Sequence, residues 1–576
     1  MRCGSQPQAC SRSRDMTIDE DWPTTSLGLR SVPASDSTRD VPPPHCPPRC
    51  PVRRIETTAS GLPPSGSDGL PAIEFAPCAG SNQLRWRSTE SATALAHSAS
   101  TESARRMWDL DILIVGAGPS GLTAADHLVA AGRRPLVIER SAQTGGLIRS
   151  IRRGEFIVDL GRKELYTRIP EIDRLWNAVL GVAYRPYPHR VGSLFGGRIL
   201  ELSGRDRGPL RGMPPQLLCA GGIDLIRGWI DGAIRRPDSY ERFWHQRVGR
   251  RFSHALAQGY WEKFRGQPWH ALPVPEALAG GEQRVSHGFA AVVQSLQLAA
   301  RGGVSRQHSW RHPALGTGQL TDRLAARVRE GGGEIWLNAE LIALERSDGG
   351  RLLATIRRKG ANLTCRAEAV ISSLTPESLD ALMRPNAPDI VTRHKRAVML
   401  VYLFLNAPPR FPHAWLEVND PAFRAGRISN YAGFNGDMVP PGHSALCVEY
   451  FLNGDDPLLR SNNDQAWIAQ ALAECSANDL IDPDRLIDAM AIRLDRCNAA
   501  ASWREEQDSA RTDLYDRLTA YPGLFHVHRP GADWASFAGL CAAKAILTQD
   551  RKDFDRRADP GRSYAASNAE TMREEA

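Results

Sequence analysis

The residues of this 576-residue chain whose types and spacing best suit chemistry are three glycines and an acid. From Asp111 to Arg140 the sequence reads DILIVGAGPSGLTAADHLVAAGRRPLVIER. Gly116, Gly118 and Gly121 have GxGxxG spacing and follow an all-apolar stretch of the kind that forms a buried parallel strand. In that setting Gly116 permits the tight turn after the strand, and Gly118 lets backbone approach a pyrophosphate. Gly121 lets the next helix pack close to the sheet. Ser120 lies inside this turn, at a helix N-terminus whose unpaired N–H groups and dipole favour an anion. Glu139, with Arg140 beside it, closes the second strand 23 residues after Gly116 and is placed to accept hydrogen bonds from a ribose diol. Strand, helix and terminal acid are in register. A dinucleotide site is therefore expected, rather than a glycine turn in an unrelated α/β protein.

The next stretch, RSAQTGGLIRSIRRGEFIVDLG, resembles the second glycine motif of the amine oxidase and protoporphyrinogen oxidase superfamily of flavoproteins. There a Gly-Gly pair follows the ribose-binding Glu, then an Arg, then a strand ending in Asp-x-Gly. The matching positions are Gly145, Gly146 (with Leu147 next to it), Arg149, Asp159 and Gly161. The resemblance implies FAD, whose longer body a second glycine-lined turn would contact. HPALGTGQLTDRLAARVREGGGEIWLNAELIAL resembles the central segment, in which a turn at Gly316 approaches the flavin and the Leu341 backbone meets the adenine. AEAVISSLTP matches the strand returning under the cofactor, and YWEKFRGQPWHAL with EQRVS resembles the helical region around Trp269 and Arg284. AWLEVNDPAFRAGRISNYAGFN is similar to a substrate-domain strand pair there and in relatives of UDP-galactopyranose mutase. The likeness covers most of residues 107–545, with specific motifs at its start and loose ones in the substrate region.

One segment departs from the pattern. In LFHVHRPGADWASFAGLCAAKAIL, His528 stands where the family has its first loop Gly, Arg529 and Gly531 remain, and Gly539 aligns with the Asp that usually starts a helix. A side chain at 528 is expected to crowd the pyrophosphate unless the loop shifts.

Four residues are candidates for a direct part in chemistry. Arg162 and Lys163, in DLGRKELY, follow the strand that approaches the isoalloxazine in relatives. They read either as cations that stabilise a reduced, anionic ring or as members of a surface ion pair. His312 reads as a proton shuttle over the ring or as a turn-capping residue. Arg427, in GRISN, is expected in a structural salt bridge, with bidentate anchoring of an acidic substrate as the alternative.

The elements that must position these groups can be traced along the chain. Residues 1–106 hold 13 prolines and 16 serines with no sustained period, and are expected to be a disordered extension or sequence upstream of a start at Met107. From about Arg205 to Gly303 the pattern is helical and rich in tryptophan (Trp229, Trp244, Trp261, Trp269), and these with Tyr260 are expected in the core. Within it, IDLIRGWIDGAIRR is expected to pack as a core helix, with a monotopic membrane helix as the alternative. VMLVYLFLN, HAWLEV and SALCVEYFLN suggest antiparallel strands, followed by helices to about Arg504. The strand LFHV and the helix FAGLCAAKAIL close the fold before a frayed tail from Gln549.

Composition narrows the function classes. A chain 42% hydrophobic and 24% charged, with net charge +7 and scattered Arg and Lys, has no nucleic-acid footprint. The longest strongly apolar run, Ala397 to Ala407, is about half a membrane span. The 11 cysteines form no CxxC pair, and Cys46 and Cys50 beside His45 lack a second ligand pair, so reduced thiols and no metal site are expected.

The expected fold is α/β: a doubly wound, Rossmann-like FAD-binding domain from residues 107–205, 304–376 and 505–548. An inserted α+β substrate domain would come from 206–303 and 377–504, and 549–576 would be a flexible tail. The expected activity is cytoplasmic, FAD-dependent transfer of a hydride equivalent from a small-molecule substrate to flavin N5. Oxygen or another electron acceptor would reoxidise the flavin, and peripheral membrane contact is left open. The alternatives are a mutase-like flavoenzyme without net redox and a non-catalytic flavin-binding or scaffold protein.

Overall fold

The computed structural model describes residues 108–558 except 188–189, 203–212, 273–309, 386–395, 454–455, 462, 496–512 and 530. The expectations for residues 1–106, for Arg284 and for the last residues of the tail lie outside the described residues.

The first sheet grows from the glycine-rich opening. Strand β1 (Trp108–Val115) runs into helix α1 (Pro119–Ala130), which has Pro at its start and Gly132 with φ 78° just past its end. Strand β2 (Leu136–Ile138) returns parallel to β1, pairing Ile114 with Val137. Strands β9 (Glu334–Trp336), β10 (Ala339–Arg346), β11 (Leu352–Arg358) and β12 (Ala361–Ser372) come much later in the chain. The order is β10-β11-β12-β1-β2-β9, with β18 (Leu524–His526) pairing parallel to β12. The inner ends of β1 and β12 are buried on both faces, as strands covered by helices must be. One face packs against α1 and the helices Gly318–Glu330 and Ala532–Thr548 through Leu122, Leu324 and Ala542.

The second sheet has the order β17-β13-β16-β15-β14-β6-β7. Its members are β6 (Val191–Phe195), β7 (Arg198–Glu201), β13 (Arg396–Leu405), β14 (Trp415–Val418), β15 (Arg427–Asn430), β16 (Ser444–Asn453) and β17 (Leu486–Asp495). All ten residues of β13 are buried, because one face meets the helix Asp464–Ala477 and the other meets β4 (Phe156–Asp159). Strand β4 does not join the first sheet. It forms a hairpin with β3 (Ser150–Arg153) that bridges the two sheets.

Four expectations are corrected here. Residues 191–201 sit within the range 107–205 given to the first domain, yet they pair with β14 in the second sheet, Leu416 facing Gly192. Residues 486–495 were expected to be helical and instead form edge strand β17. Its Ala, Met, Leu and Arg favour helix, but the pairing with β13 decides otherwise. The tail begins with a helix, Lys552–Arg557, pinned by buried Phe554 against Phe525. Finally, helix α3 (Pro215–Ile234) is not a core helix, since Gly221 is its one buried residue. Trp229 on it is 59% exposed, whereas Trp244 and Trp269 are buried as expected.

Candidate cofactor and substrate site

The glycines of the first turn have different reasons to be glycine. Gly116 has φ 101°, and its N–H donates to Ile138 O at 2.8 Å, tying the turn to β2. A Cβ on Gly121 would stand 2.0 Å from Gly116 O, so strand and helix meet only because that side chain is missing. Gly118 is unlike both. Its φ is −85°, and a Cβ there would meet only the Gly146 Cα at 3.9 Å, an ordinary contact. No protein atom requires glycine at 118.

The second turn is docked onto the first. Gly145 has φ 110° and donates to Ala117 O at 2.8 Å, which brings Gly146 over Gly118. Gly118 is the cap residue of α1, whose first turn has no side-chain cap. Glu139 helps hold this arrangement: Oε2 accepts from the Ala117 N–H at 2.9 Å, and Oε1 accepts from Ser141 N–H and Oγ at 2.9 and 2.6 Å. Oε1 thereby uses both of its lone-pair sites, and Oε2 keeps one free to accept from a ligand. The Ala339 N–H donates to Glu139 O, which sets the Leu341 end of β10 beside the same turn. Arg140 and Leu147 are exposed at the rim, and Ser120 is buried at the base. Thus Gly116, Gly118, Ser120, Gly121, Glu139, Gly145, Gly146 and Leu341 gather along one edge, where the docked turns follow β1 and β2.

Asp159, fully buried at the end of β4, is the hub joining this edge to the second sheet. Its Oδ1 accepts from Ser150 Oγ at 2.6 Å and the Thr317 N–H at 3.0 Å. Its carbonyl accepts from the hydroxyls of Tyr402 and Tyr431 at 2.7 and 2.8 Å. Tyr402 also accepts from the Gly161 N–H at 3.1 Å. Burial raises both phenols well above their ordinary range, so they remain donors. Gly316, with φ 85°, is needed because a Cβ would stand 2.3 Å from Ser150 Oγ and 2.7 Å from Asp159 Oδ1. Its closest approach is to the protein's own hairpin.

His312, on β8 (Trp310–Pro313), belongs to this hub and is not poised as a shuttle. It is 3% exposed, with Nε2 3.2 Å from Asp159 Oδ2 and Nδ1 3.1 Å from Asn435 Nδ2. An amide nitrogen cannot accept, so this network assigns Nδ1 as acceptor and leaves the ring proton on Nε2, directed at Asp159. Both ring nitrogens are occupied, and Phe434 packs edge-on at 4.6 Å.

The second sheet contributes a row of charge. Glu417 on β14, Arg427 on β15 and Glu449 on β16 sit directly opposite one another across the ladder. Arg427 is buried and bidentate to Glu449, at 2.9 and 2.6 Å, with Tyr260 Oη at 3.2 Å. The structural salt bridge expected for Arg427 is present, and its guanidinium has little left with which to anchor a substrate. Burial pushes the Glu449 carboxyl up, but Arg427, the Arg162 N–H at 2.9 Å and the field of Lys163 outweigh it and hold the pKa below the usual value. Glu417 has no such partner. Burial pushes it up to about 7, only partly countered by Arg162 and Arg427, and its Oε2 makes no hydrogen bond.

Arg162 completes this wall. Its guanidinium stacks on Trp415 at 3.9 Å and pairs with Glu164 at 2.6 Å, while its buried Nε has no partner. It is therefore a half-buried cation on an aromatic face, not a surface pair. Two orphaned polar atoms, Arg162 Nε and Glu417 Oε2, thus belong to the same charged row. Glu417 and Glu449 did not emerge as site residues from sequence alone. The available signal was a single acid in each of two otherwise apolar strands, WLEV and SALCVEYFLN.

The C-terminal loop corrects two further expectations. Arg529 is buried, donating to Ala558 O and to its own neighbour's carbonyl at His528. Helix Ala532–Thr548 starts at Gly531, φ 86°, and carries Asp533 in its first turn. Gly539 lies two turns further on, where a Cβ would stand 2.0 Å from Ser120 O. It is the crossing point of this helix with α1, not a lost acid at a helix start. His526 on β18 is bound to Leu374 O at 2.9 Å, and burial, with Arg529 and His528 nearby, lowers its pKa to about 3. The His528 ring lies 6.2 Å from it in a stacked arrangement.

The fold is that of a Rossmann-like α/β protein with a second, mainly antiparallel sheet. Residues 114–178 match the family described as an NAD(P)-binding Rossmann-like domain. Among solved structures, a reduced UDP-galactopyranose mutase superposes with a TM-score of 0.62 at 17% identity, covering 79% of this chain and 98% of that one. A protein from Exiguobacterium sp. 255-15, provisionally assigned as a protoporphyrinogen oxidase, gives 0.57 at 16% identity, covering 77% and 100%. At the level of the fold, the chain is therefore of the kind its motifs resemble. An uncharacterised protein of Mycobacterium tuberculosis is 25% identical over 312 residues, 48% of this chain and 56% of that protein. The chain thus spans little more than half the length of this curated relative.

Proposed function

We propose that this protein is an FAD-dependent oxidoreductase acting on a small organic substrate. The observation that carries the reading is Gly118. Its backbone angles suit any residue and no protein atom crowds it, so the absence of a side chain answers to something lying in the groove. The start of α1 would receive a pyrophosphate, Glu139 would hold the ribose, and the Gly145–Gly146 turn would cover a cofactor longer than a nicotinamide dinucleotide needs. When bound, FAD supplies acceptance of a hydride equivalent at its N5 position, with oxygen or another acceptor taking the electrons later.

The chain's own residues then have limited and definable tasks. Arg162, held flat on Trp415, presents a cation and an unpaired Nε–H to a developing negative charge. Glu417, with a pKa near 7, is able to hold or release a proton at Oε2 near neutral pH. Asp159, His312, Tyr402 and Tyr431 fix the backbone that carries Arg162. Arg427 and Glu449 set the register of that wall and keep it dry. The reading without net redox draws on the loose matches around Arg427, a residue that is itself committed to Glu449. The non-catalytic reading drew on His528 and Gly539, and Gly539 now has a packing reason.

The test is the absorbance spectrum of the purified full chain, with identification of any released cofactor, before and after reconstitution with FAD. The expected result is a flavin spectrum from the wild type and none from Gly118→Glu, whose side chain and charge would occupy the pyrophosphate position. A colourless wild type that takes up no FAD, or a variant with normal flavin content, would overturn the assignment.

A further inference from the structure

Helix α3 is built inside out for a helix bathed in water. Three glycines, Gly221, Gly228 and Gly232, lie along one side at helical spacing and form the seam on which α3 rests. Their missing side chains are taken up by the neighbouring α4 (Tyr240–Val248) and the turn after it. A Cβ on Gly221 would strike the Phe252 ring at 2.5 Å, one on Gly228 the His245 carbonyl at 2.2 Å, and one on Gly232 would touch Gln246 Cβ at 3.4 Å. The large apolar side chains point the opposite way. Ile223, Ile226, Trp229, Ile230 and Ile234 are 53%, 57%, 59%, 57% and 73% exposed, half of all the exposed large hydrophobics among the described residues. Scattered exposed leucines or valines need no explanation, but a single stripe of four isoleucines and a tryptophan does.

The charges around the stripe choose its occupant. The two acids of α3 turn toward the seam: Asp224 pairs with Arg251 at 2.8 Å, and Asp231 with Arg242 at 3.1 Å and Gln246 at 2.9 Å. Arg227, 3.7 Å from Asp224, is still 75% exposed, and Arg235 and Arg236 stand exposed where the helix ends. An apolar stripe with a tryptophan at one margin and arginines along its edge and end matches the hydrocarbon–headgroup boundary of a membrane carrying negative charge. A second copy of the same face would bring arginines against arginines. No helix among the described residues is long and apolar enough to cross a membrane, so α3 would lie along the surface.

We propose that the outer face of α3 seats this protein on an anionic lipid bilayer, with the isoleucines and Trp229 below the headgroups and the arginines among them. The proposal is independent of the cofactor assignment. The experiment is co-sedimentation of the purified full chain with vesicles of phosphatidylcholine alone or mixed equally with phosphatidylglycerol. Ile226→Asp/Ile230→Asp is the test variant, and its circular dichroism and melting temperature should match wild type because both positions face outward. Binding to the mixed vesicles is expected, weaker in high salt, and reduced roughly tenfold or more in the variant. Trp229 emission should shift to the blue with vesicles, and Trp229→Phe should lose that shift. Wild type that ignores anionic vesicles would overturn the proposal, as would unchanged binding by the variant. So would a wild-type dimer that the variant converts to monomer, since the stripe would then belong to a second copy.

Discussion

The two sheets are built around opposite materials. On the first sheet's side the working surface is backbone: glycine turns, a helix start, and one acid whose oxygens hold the turn in place. On the second sheet's side it is side chain: Glu417, Arg427 and Glu449 in one row across three strands, with Arg162 stacked on Trp415 beside them. A backbone surface recognises a constant feature such as a diphosphate, and its requirements are short-range in sequence. A side-chain row depends on strand register, so residues 417, 427 and 449 act together only after the sheet has formed. The first kind of site suits a ligand of constant shape, and the second suits a chemistry set by a few side chains.

The strongest way to break this comparison is to remove Arg427. Arg427→Met leaves Glu449 buried and charged without its bidentate partner, and breaking such a pair costs about 3–5 kcal/mol. Denaturant unfolding should register a loss of that size, with much of it recovered when Glu449→Leu is added. A loss below about 1 kcal/mol, typical of exposed pairs, would show that the row is hydrated and not a sealed wall.

A second test separates structural from cofactor-related glycines within the first region. Gly121→Ala forces a Cβ to within 2.0 Å of Gly116 O and should cost roughly 1–3 kcal/mol, as overpacking does. Gly118→Ala meets only an atom at 3.9 Å and should leave the stability of the cofactor-free chain within about 0.5 kcal/mol. Thermal unfolding of flavin-free samples reads the difference. Equal losses at both positions would remove the reason for assigning Gly118 to a ligand.

These contrasts also explain what was legible in the sequence. The first sheet, the GxGxxG turn, Glu139 and the Gly145–Gly146 turn could be read because each lies within a few residues of the next and follows a local rule. The same holds for β13, whose unbroken apolar run admits one environment. β17 was misread because LIDAMAIRLD favours helix locally, and only its place beside β13 makes it a strand. His312 and Arg162 were recognised as residues with a role, but their roles depend on Asp159, Asn435 and Trp415, which are distant in sequence. Gly539 was aligned as a missing acid when its reason is a helix crossing at Ser120, invisible without the fold. Helix α3 was expected to bury its isoleucines. Periodicity located the apolar stripe, but the glycine seam opposite it decides which face packs.

The smallest expected effect is the most informative about the second region. Glu417 has a folded pKa of about 7 against an ordinary value of 4.5, because burial disfavours its charge more than Arg162 and Arg427 favour it. Tyr260, which feels the charges of both Glu417 and Arg427, is the neutral ionisable neighbour. A raised carboxyl pKa means that the folded state binds the proton more tightly than the unfolded chain. Its contribution to stability is fully present below pH 4.5 and is lost as pH rises through 7. Between pH 6 and 8 the wild type should therefore lose about 1 kcal/mol from this group, since one pKa unit corresponds to about 1.4 kcal/mol. Glu417→Gln cannot ionise, so its unfolding free energy should change less over the same interval and should equal or exceed that of wild type at pH 8. An unchanged slope in the variant would assign the titration to another group and leave Glu417 charged at neutral pH. In that case the wall would present a fixed anion to the substrate, and proton transfer in this region would need a different carrier.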